Sequence, residues 1–380
     1  MIVPVTGVIA AALLWLQRKQ VLGLVARILF LELPCEALLR LVSGPQQAGL
    51  DALSTAVIKA CLQLSLGSHN PAQLKRLLNQ MSAIDAFVAR SMGAVLVPCK
   101  FESATLHVEG LWIAERTEDI PTPVAADDIV VLLYVHGGGY VLNTAEVWAP
   151  HHHELVKNFN AIQKEKGSPS RLVVFSLEYP MAPEHVWPEQ VNSALVAFEW
   201  LNVVVQAKNI LVGGDSAGGH CSISMLNKIA ASPRLAALPV QPCASILLSP
   251  WVDPGCTVPL KHDVFDYVAT KKTIELAQDF CGDKFTLESP DILLKGSQVT
   301  VAPRGTLIIY GAAERLRTAI DGFVEELQEK AQVNNLQVIR EPGMCHVYSA
   351  FLLAFPGTGK TAAMSAIKKA ATFIDTAIKS

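Results

Sequence analysis

The chain has 380 residues, of which 51% are hydrophobic, and its 31 Lys and Arg nearly balance 34 Asp and Glu for a net charge of -3. That length can bury one large core, or one domain with an appendage. The absence of any basic run longer than a few residues excludes an electrostatic footprint for nucleic acid. Eight cysteines form no Cys-x-x-Cys pair and sit mostly in apolar runs, so they read as buried reduced thiols rather than as disulfides or metal ligands.

Residues 1–33 form an apolar amino-terminal segment. No charge occurs from Met1 to Leu16; Arg18 and Lys19 interrupt, and the apolar run resumes at Val21. The first run is shorter than the roughly 20 residues of a spanning helix. It has neither a preceding basic residue nor a small-x-small site, so it does not read as a signal peptide. The expectation is membrane association through residues 1–33. With Arg18 and Lys19 following the run, the catalytic part would face the cytosol, for example at the endoplasmic reticulum. A cytoplasmic protein in which the segment closes a cap is the alternative. The chain carries no Asn-x-Ser/Thr sequon, which agrees with a cytosolic face.

Residues 34–93 show apolar spacings of three and four, broken at Gly44-Pro45 and Asn70-Pro71, and predict a helical cap. Residues 94–380 then alternate strand and helix. Strands are expected at 94–97, 105–112, 129–135, 172–177, 210–212, 244–248, 307–310 and 337–340. Helices are expected at 151–164, 188–205 and 217–231. Such alternation predicts an α/β fold with a mostly parallel sheet covered on both faces. Residues 251–303 are too long for a simple connection and are expected to add a second cap element.

The chemistry centres on Gly214-Asp-Ser-Ala-Gly218, set between an apolar strand and a helix. A serine on such a strand–turn–helix corner is lifted clear of the sheet, and small residues two before and two after it let strand and helix approach. The helix amino terminus faces the charge that develops during attack. His136-Gly-Gly-Gly139 directly follows the 129–135 strand, so Gly137 and Gly138, with Ala217, are the expected oxyanion donors. His346 lies in a turn after the last predicted strand and Glu314 in the turn after the strand before it. The order Ser216, Glu314, His346 therefore gives nucleophile, acid and base. His69, His107 and His262 have no comparable setting.

Taken together, His136-Gly-Gly-Gly139, Tyr179-Pro-Met-Ala-Pro-Glu-His185, Gly214-Asp-Ser-Ala-Gly-Gly219 and Gly343-Met-Cys-His346 resemble the hormone-sensitive-lipase-like branch of the α/β-hydrolases over roughly residues 95–350. The resemblance implies a carboxylesterase with a Ser–acid–His triad and an amino-terminal cap over an apolar acyl pocket. The amino-terminal apolar segment is also similar to that of fungal steryl acetyl hydrolases. The branch usually has Asp where this chain has Glu314, so an extra methylene must be absorbed by backbone shift. Glu178, Asp215 and Glu184 are expected to fix loops beside the site. The substrate expected is an apolar ester: an acetylated sterol, terpenoid or polyketide, or a short-chain lipid. No cofactor or metal is implied. Lactone opening or acyl transfer in a secondary-metabolite pathway would use the same groups. A non-catalytic small-molecule receptor is the alternative of another class, against which His346 counts.

Two further motifs read as structural. Gly357-Thr-Gly-Lys-Thr361 lacks the first glycine of a phosphate loop, because Ala354 stands there, and reads as a turn between terminal helices. His151, His152 and His153 point around a helix rather than toward one centre and read as a solvated helix start.

Overall fold

The computed structural model describes residues 71–329, 335–351, 353 and 357–379. The apolar segment 1–33 and most of the stretch 34–93 lie outside the described residues. Among the described residues no helix is long and apolar enough to cross a membrane. The end of the 34–93 stretch forms α1 (Pro71–Ser91), which opens on the proline of the Asn70-Pro71 break. A proline there forfeits only an N–H that has no intrahelical partner.

The eight strands β1 (Val95–Glu102), β2 (His107–Ala114), β3 (Ile129–Val135), β4 (Arg171–Glu178), β5 (Asn209–Asp215), β6 (Ser245–Leu248), β7 (Thr306–Gly311) and β8 (Leu336–Glu341) form one sheet. Its order is β1-β2-β4-β3-β5-β6-β7-β8. β2 runs antiparallel to both β1 and β4. Every pair from β4 to β8 is parallel. β5 extends three residues beyond its apolar run, through Gly213 and Gly214 to Asp215. Gly213 and Gly214 are weak strand formers, but Tyr134 and Val135 pair with them on one side, Ile246 and Leu247 on the other.

Helices α2 (Ala149–Glu165), α3 (Glu189–Val203), α4 (Ala217–Ala231), α5 (Thr270–Cys281), α6 (Arg317–Glu329) and α7 (Thr358–Ala377) follow in chain order. All seven residues of β3 are buried, so the strand serves both faces at once. Val131, Leu133 and Val135 join a core with Phe198 of α3, Ile223 of α4 and Phe323 of α6. Val130, Leu132 and Tyr134 join the opposite core, with Phe159 of α2 and Ile367 and Phe373 of α7. The period-two alternation of strand side chains makes this division. Each large side chain so buried contributes roughly 1.5–3 kcal/mol before entropy.

α2 and α7 are further joined by Asp375, whose carboxylate accepts from Gln163 Nε2 at 2.7 Å, Lys166 Nζ at 2.5 Å and Lys379 Nζ at 2.6 Å. Burial opposes this charge, but these donors hold the carboxyl down at about 2. The Gly357–Thr361 segment is the start of α7, with Gly357 at its cap and Lys360 exposed. Cys221, Cys243, Cys281 and Cys345 are buried, while Cys99 and Cys256 are half-buried.

One expectation is overturned. His151, His152 and His153 are not a solvated helix start; all three are buried. α2 contacts β2 and β4 as well as α1 and α7, and even its first turn is buried. The ring of His152 packs edge-on against Tyr134, with centroids 4.2 Å apart. Burial disfavours the imidazolium, lowering His151 to about 4 and His152 well below its usual value.

A buried neutral histidine binds fewer protons when folded than when unfolded, so its stabilising contribution is full above pH 6.5 and is lost as the pH falls toward 4. For His151 that loss is about 3 kcal/mol. Asp85 and Asp266, whose carboxyls burial raises to about 7 and about 6, act with the opposite sign. Comparison with His151→Leu isolates the histidine. In denaturant titrations at pH 8 and pH 5, the variant should lose less stability on acidification than the parent.

Candidate active site

The parallel strands end on one edge, and every motif singled out in the sequence except Gly357–Thr361 is carried there. Ser216 occupies the corner between β5 and α4 with φ 51° and ψ -117°. A positive φ at a non-glycine residue costs on the order of 1–3 kcal/mol and persists only when its surroundings hold it. Here the Ser216 N–H donates to the Leu248 carbonyl and the Ser216 carbonyl accepts from Trp251 N–H, both at 2.9 Å. The flanking glycines are required by contact. A Cβ on Gly218 would lie 1.8 Å from the Val135 carbonyl oxygen, and one on Gly214 2.4 Å from the Gly218 carbonyl carbon. Strand and helix thus meet backbone to backbone.

The glycine loop after β3 departs from expectation at its first member. The Gly137 N–H donates to Asp215 Oδ1 at 2.9 Å, so it is not available as an oxyanion donor. Among the described residues, the N–H groups of Gly138, Gly139 and Ala217 carry no hydrogen bond. Gly138 adopts φ 112°, and a Cβ there would stand 2.3 Å from the Leu142 carbonyl oxygen. Asp215 thus claims the first amide of the loop, the one expected from Gly137.

Asp215 is buried and collects two further donors, Tyr134 Oη at 2.9 Å and Trp148 Nε1 at 3.1 Å. Burial pushes its carboxyl up, while Trp148, Tyr134 and Gly137 oppose that shift. The same loop is held from behind. His136 stacks on Tyr179 with centroids 4.3 Å apart, and the Tyr179 hydroxyl donates to the His136 carbonyl at 2.8 Å. Burial lowers His136 to about 4, so its ring is neutral. Glu178 accepts from Ala145 N–H at 2.7 Å and anchors the far end of the loop. Glu184 instead lies at the surface, 3.4 Å from Lys75 Nζ.

Glu314 and His346 meet across the ends of β7 and β8. Both are buried, and His346 Nδ1 lies 3.4 Å from Glu314 Oε1. That is long for a charge-assisted hydrogen bond, which is usually about 2.7–2.9 Å. The other carboxylate oxygen, Oε2, accepts from Gly311 N–H at 2.8 Å and from Ser249 Oγ at 2.7 Å. Burial works against the His346 imidazolium. Its hydrogen bond to Glu314 and the charges of Glu314, Asp266 and Asp215 outweigh that, and the ring is raised above its ordinary value. Among the described residues no hydrogen bond links Ser216 Oγ to His346. In unliganded enzymes such contacts are often open and tighten with substrate.

Nothing in the sequence marks Asp266 or Ser249 as a neighbour of Glu314 and His346. Asp266, in the 251–303 insertion, accepts from the His346 N–H at 3.0 Å and the Arg315 N–H at 2.8 Å. It therefore holds the main chain of the histidine while Glu314 holds the ring. No motif surrounds Asp266, and the hydrophobic pattern of the insertion carries no sign of it. His262 approaches the acid only through its backbone, with Nε2 2.8 Å from the Glu314 carbonyl. Apolar groups flank the site. Leu276 of α5 abuts Gly139, and Tyr267 lies with its centroid 6.0 Å from His346 and 4.6 Å from Phe351.

A family profile described as the alpha/beta hydrolase fold matches residues 132–350. The chain is 24% identical over 154 residues to an esterase of Acinetobacter venetianus, a match covering 40% of this chain and 45% of that one. It is 32% identical over 133 residues to an ethyl acetate hydrolase of Pseudomonas putida, covering 34% of this chain and 37% of that protein. The chain thus spans less than half the length of these two relatives. Among solved structures it is similar to the esterase LipW from Mycobacterium marinum, with a TM-score of 0.66, 18% identity, and coverage of 87% of this chain and 98% of that one. It is also similar to an esterase from the bacterial hormone-sensitive lipase family, with a TM-score of 0.59, 21% identity, and coverage of 82% and 94%. At those identities the likeness is one of fold.

The three donors on Asp215 make a sharp test of this arrangement. Asp215→Asn keeps the shape but sets an NH2 against one of the donors, leaving buried polar groups unmatched. The variant should be less stable by about 1–3 kcal/mol in chemical denaturation. The tryptophan emission should shift in the native state, since Trp148 loses its partner.

Proposed function

The chain belongs to the alpha/beta hydrolase fold family, and from that premise we propose that it is a serine carboxylesterase acting on apolar esters. The observation that carries the reading is the pairing of His346 with a buried carboxylate on the sheet edge that also bears the left-handed Ser216 corner. A ligand receptor on this fold has no use for a base so held.

In this reading Ser216 attacks the ester carbonyl while His346 takes its proton. The Nδ1–H of His346 points to Glu314, which leaves Nε2 as the basic atom. Glu314 stabilises the imidazolium as it forms. The tetrahedral oxyanion rests on the N–H groups of Gly138, Gly139 and Ala217, with Gly139 replacing the Gly137 of the sequence reading. His346 then gives its proton to the departing alcohol, and water releases the acid by the reverse route. Leu276 beside Gly139, and Tyr267 beside His346 with Phe351 against it, support an apolar substrate, since they set hydrocarbon and aromatic surface next to the glycine loop and the histidine.

Ser216→Ala should lower kcat on p-nitrophenyl acetate by at least about 10⁴, and fluorophosphonate labelling of the chain should disappear. Retention of a tenth of the parent rate would remove Ser216 from the mechanism.

The base is active when neutral, and its pKa is held above 6.5. Activity should therefore fall on the acid side through a limb whose midpoint lies above pH 6.5 in kcat/KM. Glu314→Gln removes the principal group that raises it. The limb should move to lower pH, and kcat should fall by about 10³- to 10⁴-fold because an amide neither orients nor stabilises the imidazolium. Glu314→Asp should retain more activity than Glu314→Gln. An unshifted limb in Glu314→Gln would assign the raising charge to another carboxylate.

A further inference from the structure

The chain leaves β6 through Ser249, a residue with φ 46° and no exposed surface. Its N–H donates to the Ile309 carbonyl at 2.7 Å, so the corner is tied to β7 as it turns. The turn aims the side chain across the ends of β7 and β8. There Oγ lies 2.7 Å from Glu314 Oε2 and 3.0 Å from the Val347 nitrogen. A hydroxyl has one proton to give and two lone pairs. The Val347 N–H is a donor only, so the proton of Ser249 must go to Glu314.

We propose that Ser249 is a positioning residue that fixes Glu314 as the partner of His346. The proposal rests on the Ser216–Glu314–His346 reading above and adds a fourth member to it. Glutamate has one more rotatable bond than aspartate, so its carboxylate has a wider arc to occupy. Two donors on Oε2, Gly311 N–H and Ser249 Oγ, close that arc from one side. Oε1 is then left with the direction of His346 Nδ1. The extra methylene of Glu314 is thus taken up by a hydroxyl lock.

The same hydroxyl also acts on the base. Val347 follows His346 directly and has φ 47°. Consecutive amides of the histidine turn are therefore held by different side chains, His346 N–H by Asp266 and Val347 N–H by Ser249. Ser249 is the only one of these two that also touches the acid carboxylate. Acid and base are in this way referred to a single atom, Ser249 Oγ. With the ring-to-carboxylate contact at 3.4 Å, small losses of alignment would be felt in the step that forms the imidazolium.

The test uses the full chain and p-nitrophenyl acetate. Ser249→Gly removes the hydroxyl at a φ that glycine adopts freely, so the corner survives; Ser249→Ala is made alongside it. Thermal melts of both establish that the fold is retained. The expected result is a fall in kcat of about 10- to 100-fold with KM changed by less than about twofold. The fall should be nearly absent when Glu314 is already Gln: Ser249→Gly with Glu314→Gln should lie within about twofold of Glu314→Gln alone. A folded Ser249→Gly with parental kcat would overturn the proposal. So would losses in the two single variants that multiply in the double one, since Ser249 would then act independently of the acid. Failure of the triad itself is separate, because it appears as full activity in Glu314→Gln or Ser216→Ala.

Discussion

The carboxylate of Asp215 is the constraint on which the site depends. It stands next to the strained serine, at the end of β5, and draws in a hydroxyl from β3, an amide from the glycine loop and an indole from the entry to α2. An acceptor buried this deeply is tolerable only with its donors in place. The converse also holds: each donor is fixed by an acceptor that cannot move. The glycine loop is thereby pinned at its first amide, and among the described residues its next two amides carry no hydrogen bond. The backbone of the glycine loop is thus set by one buried carboxyl group of the scaffold.

Strain at Ser216 is supported in the same manner. The left-handed corner is bracketed by hydrogen bonds to Leu248 and Trp251, and α4 presses against β3 at Gly218 with no room for a methyl group. None of these contacts belongs to the serine's own side chain. The corner at Ser216 is thus held through backbone contacts.

At the ends of β7 and β8 the Glu314 carboxylate is held more firmly through one oxygen than through the other. Glu314 has two short hydrogen bonds on Oε2 and one long contact on Oε1. Such a contact gains most when the imidazole becomes charged, since hydrogen bonds between ions are roughly twice as strong as neutral ones. Asp266 adds negative potential from the main-chain side without competing for the ring. The raised basicity of His346 in spite of its burial is the sum of these charges.

The sheet and the candidate site differ in how far the amino-acid order alone decided them. Runs such as Ile129–Val135 and the Ala217–Ala231 helix were legible to the residue, because a fully buried strand and a helix with glycines at its start leave periodic and compositional marks. Ser216, Glu314 and His346 stand where the strand order predicts, each in a turn directly after a strand. What the sequence could not decide was anything set by packing between distant elements. Three consecutive histidines look hydrophilic, yet tertiary packing buries all three. Gly137 and Gly138 are identical in one dimension, and only the approach of Asp215, 78 positions away, consumes one amide and spares the next. Ser249 and Asp266 have no local signature because their roles come from which strand ends lie side by side. Periodicity records whether a residue is buried in its own element; it holds no information on which donor will face which acceptor, and in this protein that pairing decides the site.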